Sequence, residues 1–186
     1  MAHLTFDGFF ANHRRRIEEI FHSSDAARWS VPLEEFANTV WLGIEQAATD
    51  PSQIPELIGT IRAKDLALAQ GCARGNEPAW DTFCAEYRPV LYESARALTH
   101  DEAQARELAD SLLADLYGLD KTETGRHSRL NYFHGRSSLK TWLRAVLYQK
   151  FVDEYRRQSR LEPLPDDPAD SPAAQHSASS LTQEMD

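Results

Sequence analysis

The sequence contains no run of about 18 consecutive apolar residues, so it predicts no membrane-spanning helix. Near the N-terminus, His13 and the three arginines Arg14–Arg16 interrupt the apolar residues, so the apolar segment of a signal peptide is missing. Cysteine is scarce: Cys72 and Cys84 form neither a CxxC pair nor a Cys/His cluster. These absences predict a cytoplasmic protein with two free thiols.

The motifs of common enzyme classes are also absent. The chain has no Gly-x-Ser-x-Gly nucleophile turn, no P-loop and no HExxH motif. Its seven histidines include no pair spaced four residues apart, and His127 and His134, which share one segment, have no clustered carboxylate or thiol beside them. The sequence therefore predicts a protein that is not an enzyme and uses no cofactor or metal. An all-α metal-dependent hydrolase is the enzyme alternative.

The chain shows no alternating strand pattern of any length, which predicts an all-α fold. Residues 1–60 contain two helical patterns, followed by breaks at Asp50–Pro51 and Pro55, and form an N-terminal helical extension. Residues 61–160 are the most regular part and form the central helical domain. Residues 161–186 contain four prolines and six acidic residues but no lysine or arginine, which predicts a disordered acidic tail or linker.

Local signals divide the central domain into four helices. They run over 64–73, from the Asn76 cap to residue 98, over 99–117 and over 138–158, with a loop at 119–137. Pro89 predicts a kink in the second helix. Thr99 and Glu102 predict a capping box for the third, and Gly118 predicts its end.

Taken as a whole, the chain lacks the positive charge that a nucleic-acid-binding protein needs, because its formal net charge is −9. The charge is unevenly spread, however. Residues 121–160 carry ten basic and three acidic side chains, a local charge of +7, and also six of the 18 aromatic residues. Cations that follow a nucleic-acid backbone and rings that stack on bases are what an unpaired strand requires. The alternative is an amphipathic helix with a solvated basic face and its aromatics in the core.

The segment at 133–157, FHGRSSLKTWLRAVLYQKFVDEYRR, carries a specific set of motifs. They are Phe133, Gly135, Ser137–Ser138, Thr141–Trp142–Leu143, Asp153 and Arg156–Arg157. In this order they resemble region 2 of bacterial sigma factors of the sigma-70 family, of the extracytoplasmic-function type. Two upstream stretches, 65–98 and 105–117, resemble the preceding helices of that region, so the resemblance covers about half of the chain.

The resemblance implies two binding surfaces within an all-α bundle of the sigma region 2 type. The helix at 101–117 would bind the coiled coil of the β′ subunit of core RNA polymerase. If the buried stripe of this helix consists of Ala105, Leu108, Ala109, Leu112 and Leu116, its acidic side chains face outward. The candidate polymerase contacts are Glu107, Leu108, Asp110 and Ser111. Without the resemblance, this face would be interpreted as a solvated acidic surface.

The second implied surface opens the −10 element of promoter DNA and captures non-template-strand bases. Trp142 is the main candidate for the wedge or stacking surface, although a core tryptophan is the alternative. Loop residues 131–138 would shape the pocket for a flipped base. The full set of candidate DNA contacts is Tyr132, Phe133, Arg136, Ser137, Lys140, Trp142, Arg144, Arg156 and Arg157.

The chain also departs from the family pattern. Leu143 stands where primary family members carry a second aromatic, and Gln149–Lys150 replaces the usual Asn and apolar residue. Nothing after Arg157 resembles the helix-turn-helix of region 4. Residues 1–60 lie outside the resemblance and could pack on region 2, bind an anti-sigma factor or cover the basic face. The alternative function is a sigma-like interaction or regulatory protein that occupies the β′ site without opening promoters.

Overall fold

The described part of the chain is built from helices, which confirms the all-α prediction. The computed structural model describes residues 5–45, 47–48, 50–118, 121–122 and 125–161. Its helices are α1 Phe6–Ser23, α2 Leu33–Ile44, α3 Ile54–Thr60, α4 Ala63–Ala73, α5 Glu77–Thr99, α6 Glu102–Tyr117 and α7 Leu139–Leu161. Short 3-10 turns lie at Ala26–Trp29, Pro51–Gln53 and Arg129–Tyr132. No helix within these ranges is long and apolar enough to cross a membrane.

The loop between α6 and α7 contains a short β-ladder, which the sequence does not predict. Strand β1 (Lys121–Thr122) pairs antiparallel with β2 (Gly125–Arg126), so that Lys121 faces Arg126 and Thr122 faces Gly125. With two residues in each strand, this ladder does not change the fold class.

Several predicted helix ends are confirmed. The Asn76 side chain accepts a hydrogen bond from the Ala79 amide at 2.9 Å, as an N-cap does. Gly118 ends α6 in the left-handed region, with a φ of 76°. The capping box at Thr99 and Glu102 is wrong. His100 takes the left-handed conformation that ends α5, so Asp101 becomes the cap and accepts from the Gln104 amide at 2.8 Å.

Prolines begin helical elements in the stretch that the sequence interprets as an interruption. Pro51 opens a 3-10 turn capped by Asp50, and Pro55 lies in the first turn of α3. A proline is tolerated there because the first turn of a helix leaves its amides without intrahelical partners. Helix α3 is therefore an element that the sequence analysis missed. At Pro89, α5 continues as one helix on both sides.

Helix α4 lies at the centre of the structure. Seven consecutive residues, from Leu66 to Cys72, are buried, so every side of this helix is covered. Helices α1 and α2 and the 26–29 turn pack against it, as do α5, α6 and the 129–132 turn. A Cβ atom on Gly71 would come within 2.6 Å of Trp29 Cβ and 3.0 Å of Ala79 Cβ, which shows how closely α4 is packed.

The chain forms two compact units, the first ending at Asp153 and the second beginning at Glu154. The predicted boundary between residues 60 and 61 falls inside the first unit, whose core runs from Phe9 on α1 to Leu147 on α7. In the second unit the described residues are the last turns of α7, up to residue 161. From residue 162 onward, the predicted disordered tail lies outside the described residues.

The Asp101 cap gives a direct test of the α5–α6 junction. Asp101→Ala removes the acceptor of the Gln104 amide, so we expect the free energy of unfolding in urea to fall by about 1 kcal/mol. Asp101→Asn is the matched control, because asparagine caps helices about as well as aspartate, and it should stay close to the wild type. Equal stability of the two variants would show that Asp101 does not act as a cap.

Candidate nucleic-acid interface

Two side chains fix the start of α7: one directly precedes the helix in the sequence, and the other lies on α4. The Ser138 hydroxyl accepts from the Thr141 amide at 3.1 Å, which caps the helix locally. Asp65 on α4 accepts from the Leu139 amide at 2.8 Å and places a carboxylate at the positive end of the α7 dipole. The first turn of α7, which carries several of the predicted DNA contacts, is therefore attached to the central helix.

A cavity of about 600 Å³ lies where the end of α6, the 127–132 segment and the first turns of α7 meet. Its volume falls in the range of small-ligand sites, roughly 300–1,000 Å³. The lining residues combine two rings, an imidazole, an ion pair and apolar surface: Asp115, Gly118, His127, Arg129, Tyr132, Trp142 and Val146. This cavity adjoins the loop that the sequence predicts to shape a base pocket.

Two aromatic rings of the cavity remain accessible in different degrees. Tyr132 is 58% exposed, and its hydroxyl lies 3.2 Å from His127 Nε2. Trp142 is half-buried and meets the Phe133 ring edge-to-face, with 5.5 Å between the ring centroids. The prediction of a stacking surface at Trp142 thus keeps a physical basis, because the half-buried indole both packs on the core and lines the cavity.

The cavity wall carries opposite charges from three elements. Asp115 on α6 forms an ion pair with Lys150 on α7 at 2.8 Å and a looser one with Arg129 at 3.9 Å. The Lys150 side chain is only 16% exposed, so this amine is directed at α6. Two of the ten cations counted in the 121–160 window are therefore paired with a carboxylate that lies outside that window.

Besides the two rings, four predicted DNA contacts are accessible around the start of α7. Arg136, Lys140 and Arg144 are exposed, and Ser137 is half-buried. The Arg144 guanidinium also reaches the Ser94 hydroxyl on α5 at 3.4 Å. Lys140, Arg144 and Tyr148 follow one another at four-residue spacing, so they share one exposed face of α7.

The prediction for Phe133 is wrong. Its ring is 2% exposed and belongs to the core, since its backbone amide closes the 129–132 turn and its side chain packs on Trp142. A loop aromatic with this burial cannot stack on a base in this structure. Arg156 and Arg157 are exposed on the last turns of α7, within the second compact unit, and are not part of the cavity described above.

The α6 helix presents the acidic face that the sequence predicts. Its buried residues are Ala105, Leu108, Ala109, Leu112 and Leu116, the same five as in the predicted stripe. Glu107 and Asp110 are exposed and Ser111 is half-buried, while the Asp110 carboxylate accepts a hydrogen bond from the Tyr92 hydroxyl. Leu108 is wrong as a partner contact, because it is 2% exposed and packs in the core.

Sequence reasoning assigned no role to three residues of the cavity. Asp115 lies outside the basic window, and its charge contacts come from residues 14 and 35 positions away. His127 was considered only as a metal ligand with His134, and Arg129 only as part of the local charge. The described residues contain no cluster of three or more potential metal ligands. The basic and aromatic character of the loop was the one available signal for His127 and Arg129.

Comparisons with known proteins found no counterpart: no protein-family model, no curated protein and no solved structure matches this chain. A sigma-like function is therefore a hypothesis that depends on the motifs of the sequence and on where the fold places their residues.

The two lysines of α7 should behave in opposite ways. Lys150→Met breaks the pair with Asp115 and should lower the free energy of unfolding by about 1 kcal/mol, without changing the salt dependence of binding to a single-stranded oligonucleotide. Lys140→Met should leave stability unchanged but lower the slope of log K against log salt by about 0.7, the value for one phosphate contact on a single strand. Matching effects of the two substitutions on the slope would contradict this division.

Proposed function

We propose that this protein is a sigma-factor-like transcription initiation protein that binds core RNA polymerase and captures non-template bases of a promoter −10 element. The observation that carries the proposal is the cavity at the start of α7, where Trp142 and Tyr132 offer ring surfaces. Exposed Arg136, Lys140 and Arg144 lie on the loop and on the first turns of the same helix. A single strand requires both rings and cations. Lys140 and Arg144 each lie two positions from Trp142, so they project from a different face of α7 than the ring, and a bound strand would pass round the start of the helix to contact both.

The cavity supplies the chemistry that a flipped base needs. Two aromatic side chains can replace the stacking that a base loses when it leaves the duplex, at roughly 1–3 kcal/mol for each stacked base. His127 and the Asp115–Arg129 pair add hydrogen-bonding groups of both kinds to the same wall. Phosphate contacts from exposed arginine and lysine would set the register of the strand without reading its sequence.

The acidic face of α6 is the proposed polymerase-binding surface. Glu107 and Asp110 lie one turn apart on the exposed side of a helix whose other side is fully packed in the core. Such a rigid acidic face suits a basic helical partner, for which charge complementarity sets orientation and association rate. We propose the β′ coiled coil as this partner, with an anti-sigma factor as a further partner of the protein.

Strand capture is tested with the complex of this protein and core RNA polymerase. Trp142→Ala and Tyr132→Ala should each weaken binding of a single-stranded −10 oligonucleotide by about 5-fold to 100-fold, the loss of one stacked base. Both should also reduce the permanganate reactivity of thymines in an opening promoter. Trp80→Ala is the matched control, because Trp80 is also a half-buried tryptophan but lies on α5 and does not line the cavity. Wild-type affinity in both cavity variants would refute the assignment of these rings.

Polymerase binding has its own test on α6. Glu107→Lys should weaken the affinity for core polymerase at low salt by at least about 10-fold, because it reverses a charge on the proposed contact face. Glu93→Lys, the same charge change at an exposed position of α5, is the control and should bind normally. If the wild-type protein does not bind core polymerase at all, the proposed function is wrong.

The alternative function is a sigma-like regulatory protein that occupies the β′ site without opening promoters. Two features favour it. The Phe133 ring is buried in the core, and the position after Trp142 holds Leu143 instead of a second aromatic, so that Trp142 and Tyr132 are the rings besides the His127 imidazole among the described residues of the cavity. Normal polymerase binding together with no promoter opening in permanganate assays would select this alternative.

A further inference from the structure

The loop at residues 133–138 connects the cavity to α7. The segment before α4 contacts the middle of this loop. The amide of Arg62 donates to the carbonyl oxygen of Gly135 at 2.8 Å. Gly135 itself has a φ of 75°, and a Cβ atom there would lie 3.1 Å from Ile61 Cγ2. Backbone and side chain of residues 61–62 thus fix the middle of the loop.

Helix α2 contacts the same loop through a glycine. A Cβ atom on Gly43 would come within 2.9 Å of the His134 carbonyl oxygen and 3.2 Å of His134 Cβ. The nearer of these atoms belongs to the loop backbone, which cannot turn aside as the end of a flexible side chain can. Burial, and to a lesser degree Arg136, lower the pKa of His134, which favours its neutral form.

The third point of attachment is the hydrogen bond from the Leu139 amide to Asp65, described above. Gly43 lies on α2, whereas residues 61–62 precede α4 and Asp65 lies in its first turn, so α2 supplies one of the three attachments. On the opposite side, the loop carries Phe133, whose ring packs against Trp142 of the cavity. A shift of the loop backbone would therefore move the wall on which the proposed strand capture depends.

We infer that the N-terminal helices are a positioning element for the strand-binding loop, and that Gly43 is the positioning residue through which α2 sets the loop backbone. The predicted effect of Gly43 on DNA binding depends on the proposed function. Its predicted effect on the loop backbone does not. Residues 1–60 would then act without touching nucleic acid, by keeping the loop in the shape that the cavity requires.

The test compares two glycine substitutions in the N-terminal helices. Gly43→Ala should force the loop away from α2 and raise the hydrogen-exchange rate of the Arg62 and Leu139 amides by at least about 10-fold. In the complex with core polymerase, it should weaken binding of the single-stranded −10 oligonucleotide about 10-fold while leaving the affinity for polymerase unchanged. Gly59→Ala is the control, because a Cβ atom there meets only the tip of the flexible Arg16 side chain, at 3.2 Å.

A Gly43→Ala variant that does not fold would assign Gly43 to general packing and overturn its positioning role. A second pair of variants tests the attachment of the same loop to α4. Asp65→Ala removes the acceptor of the Leu139 amide and should speed its exchange and weaken strand binding, whereas Asp65→Asn retains an acceptor oxygen and should restore both. A merely structural role would lower thermal stability without this selective loss of strand affinity.

The outcomes separate this inference from the proposed function. Unchanged exchange of the Arg62 amide in a folded Gly43→Ala variant, or a loosened loop with normal strand affinity, overturns the positioning role. If the wild-type protein captures no strand, the proposed function falls, and the exchange rates alone decide whether α2 holds the loop.

Discussion

The burial of α4 on every side is the constraint on which the rest of the structure depends. A helix with seven consecutive buried residues cannot be stable until other elements cover its whole circumference. Helices α5 and α6 cover part of it, while α1, α2 and the turn that carries Trp29 cover another part. The N-terminal helices therefore complete the core around α4, and a description that treats them as an appendage omits one wall of that core.

The same packing changes the meaning of the charge distribution. Along the chain, residues 121–160 form a block of positive charge, but Asp115 on α6 lies within 4 Å of two of its cations. Lys150 and Arg129 thereby connect α7 and the preceding loop to α6. The exposed basic groups around the start of α7 are Arg136, Lys140 and Arg144, which is a smaller set than the window suggests. A count of charges along the sequence cannot separate the cations that form ion pairs within the protein from those that remain exposed, because the ion pairs join residues that are far apart in the sequence.

Periodicity predicted most of the fold, since a helix that packs on one side repeats its apolar residues with a fixed spacing. The buried stripe of α6 was predicted residue by residue for this reason. The prediction for Phe133 failed because its burial depends on distant neighbours: the ring lies in the core although the residue belongs to a loop. For the same reason no signal in the sequence indicated that Asp65 would cap a helix that begins 74 residues later. Leu108 failed for a different reason, because one residue was assigned to both the buried and the exposed face.

The number of rings at the cavity limits what the proposed interface can do by itself. Flipping a base costs a few kcal/mol, and one or two stacking contacts at roughly 1–3 kcal/mol each would about offset that cost. Among the described residues that line the cavity, Trp142 and Tyr132 are the aromatic rings suited to stacking, because Phe133 is buried in the core and position 143 holds a leucine. Under the proposed function, the protein would therefore hold a base that has left the duplex, while most of the free energy for separating the strands would come from the complex with the polymerase.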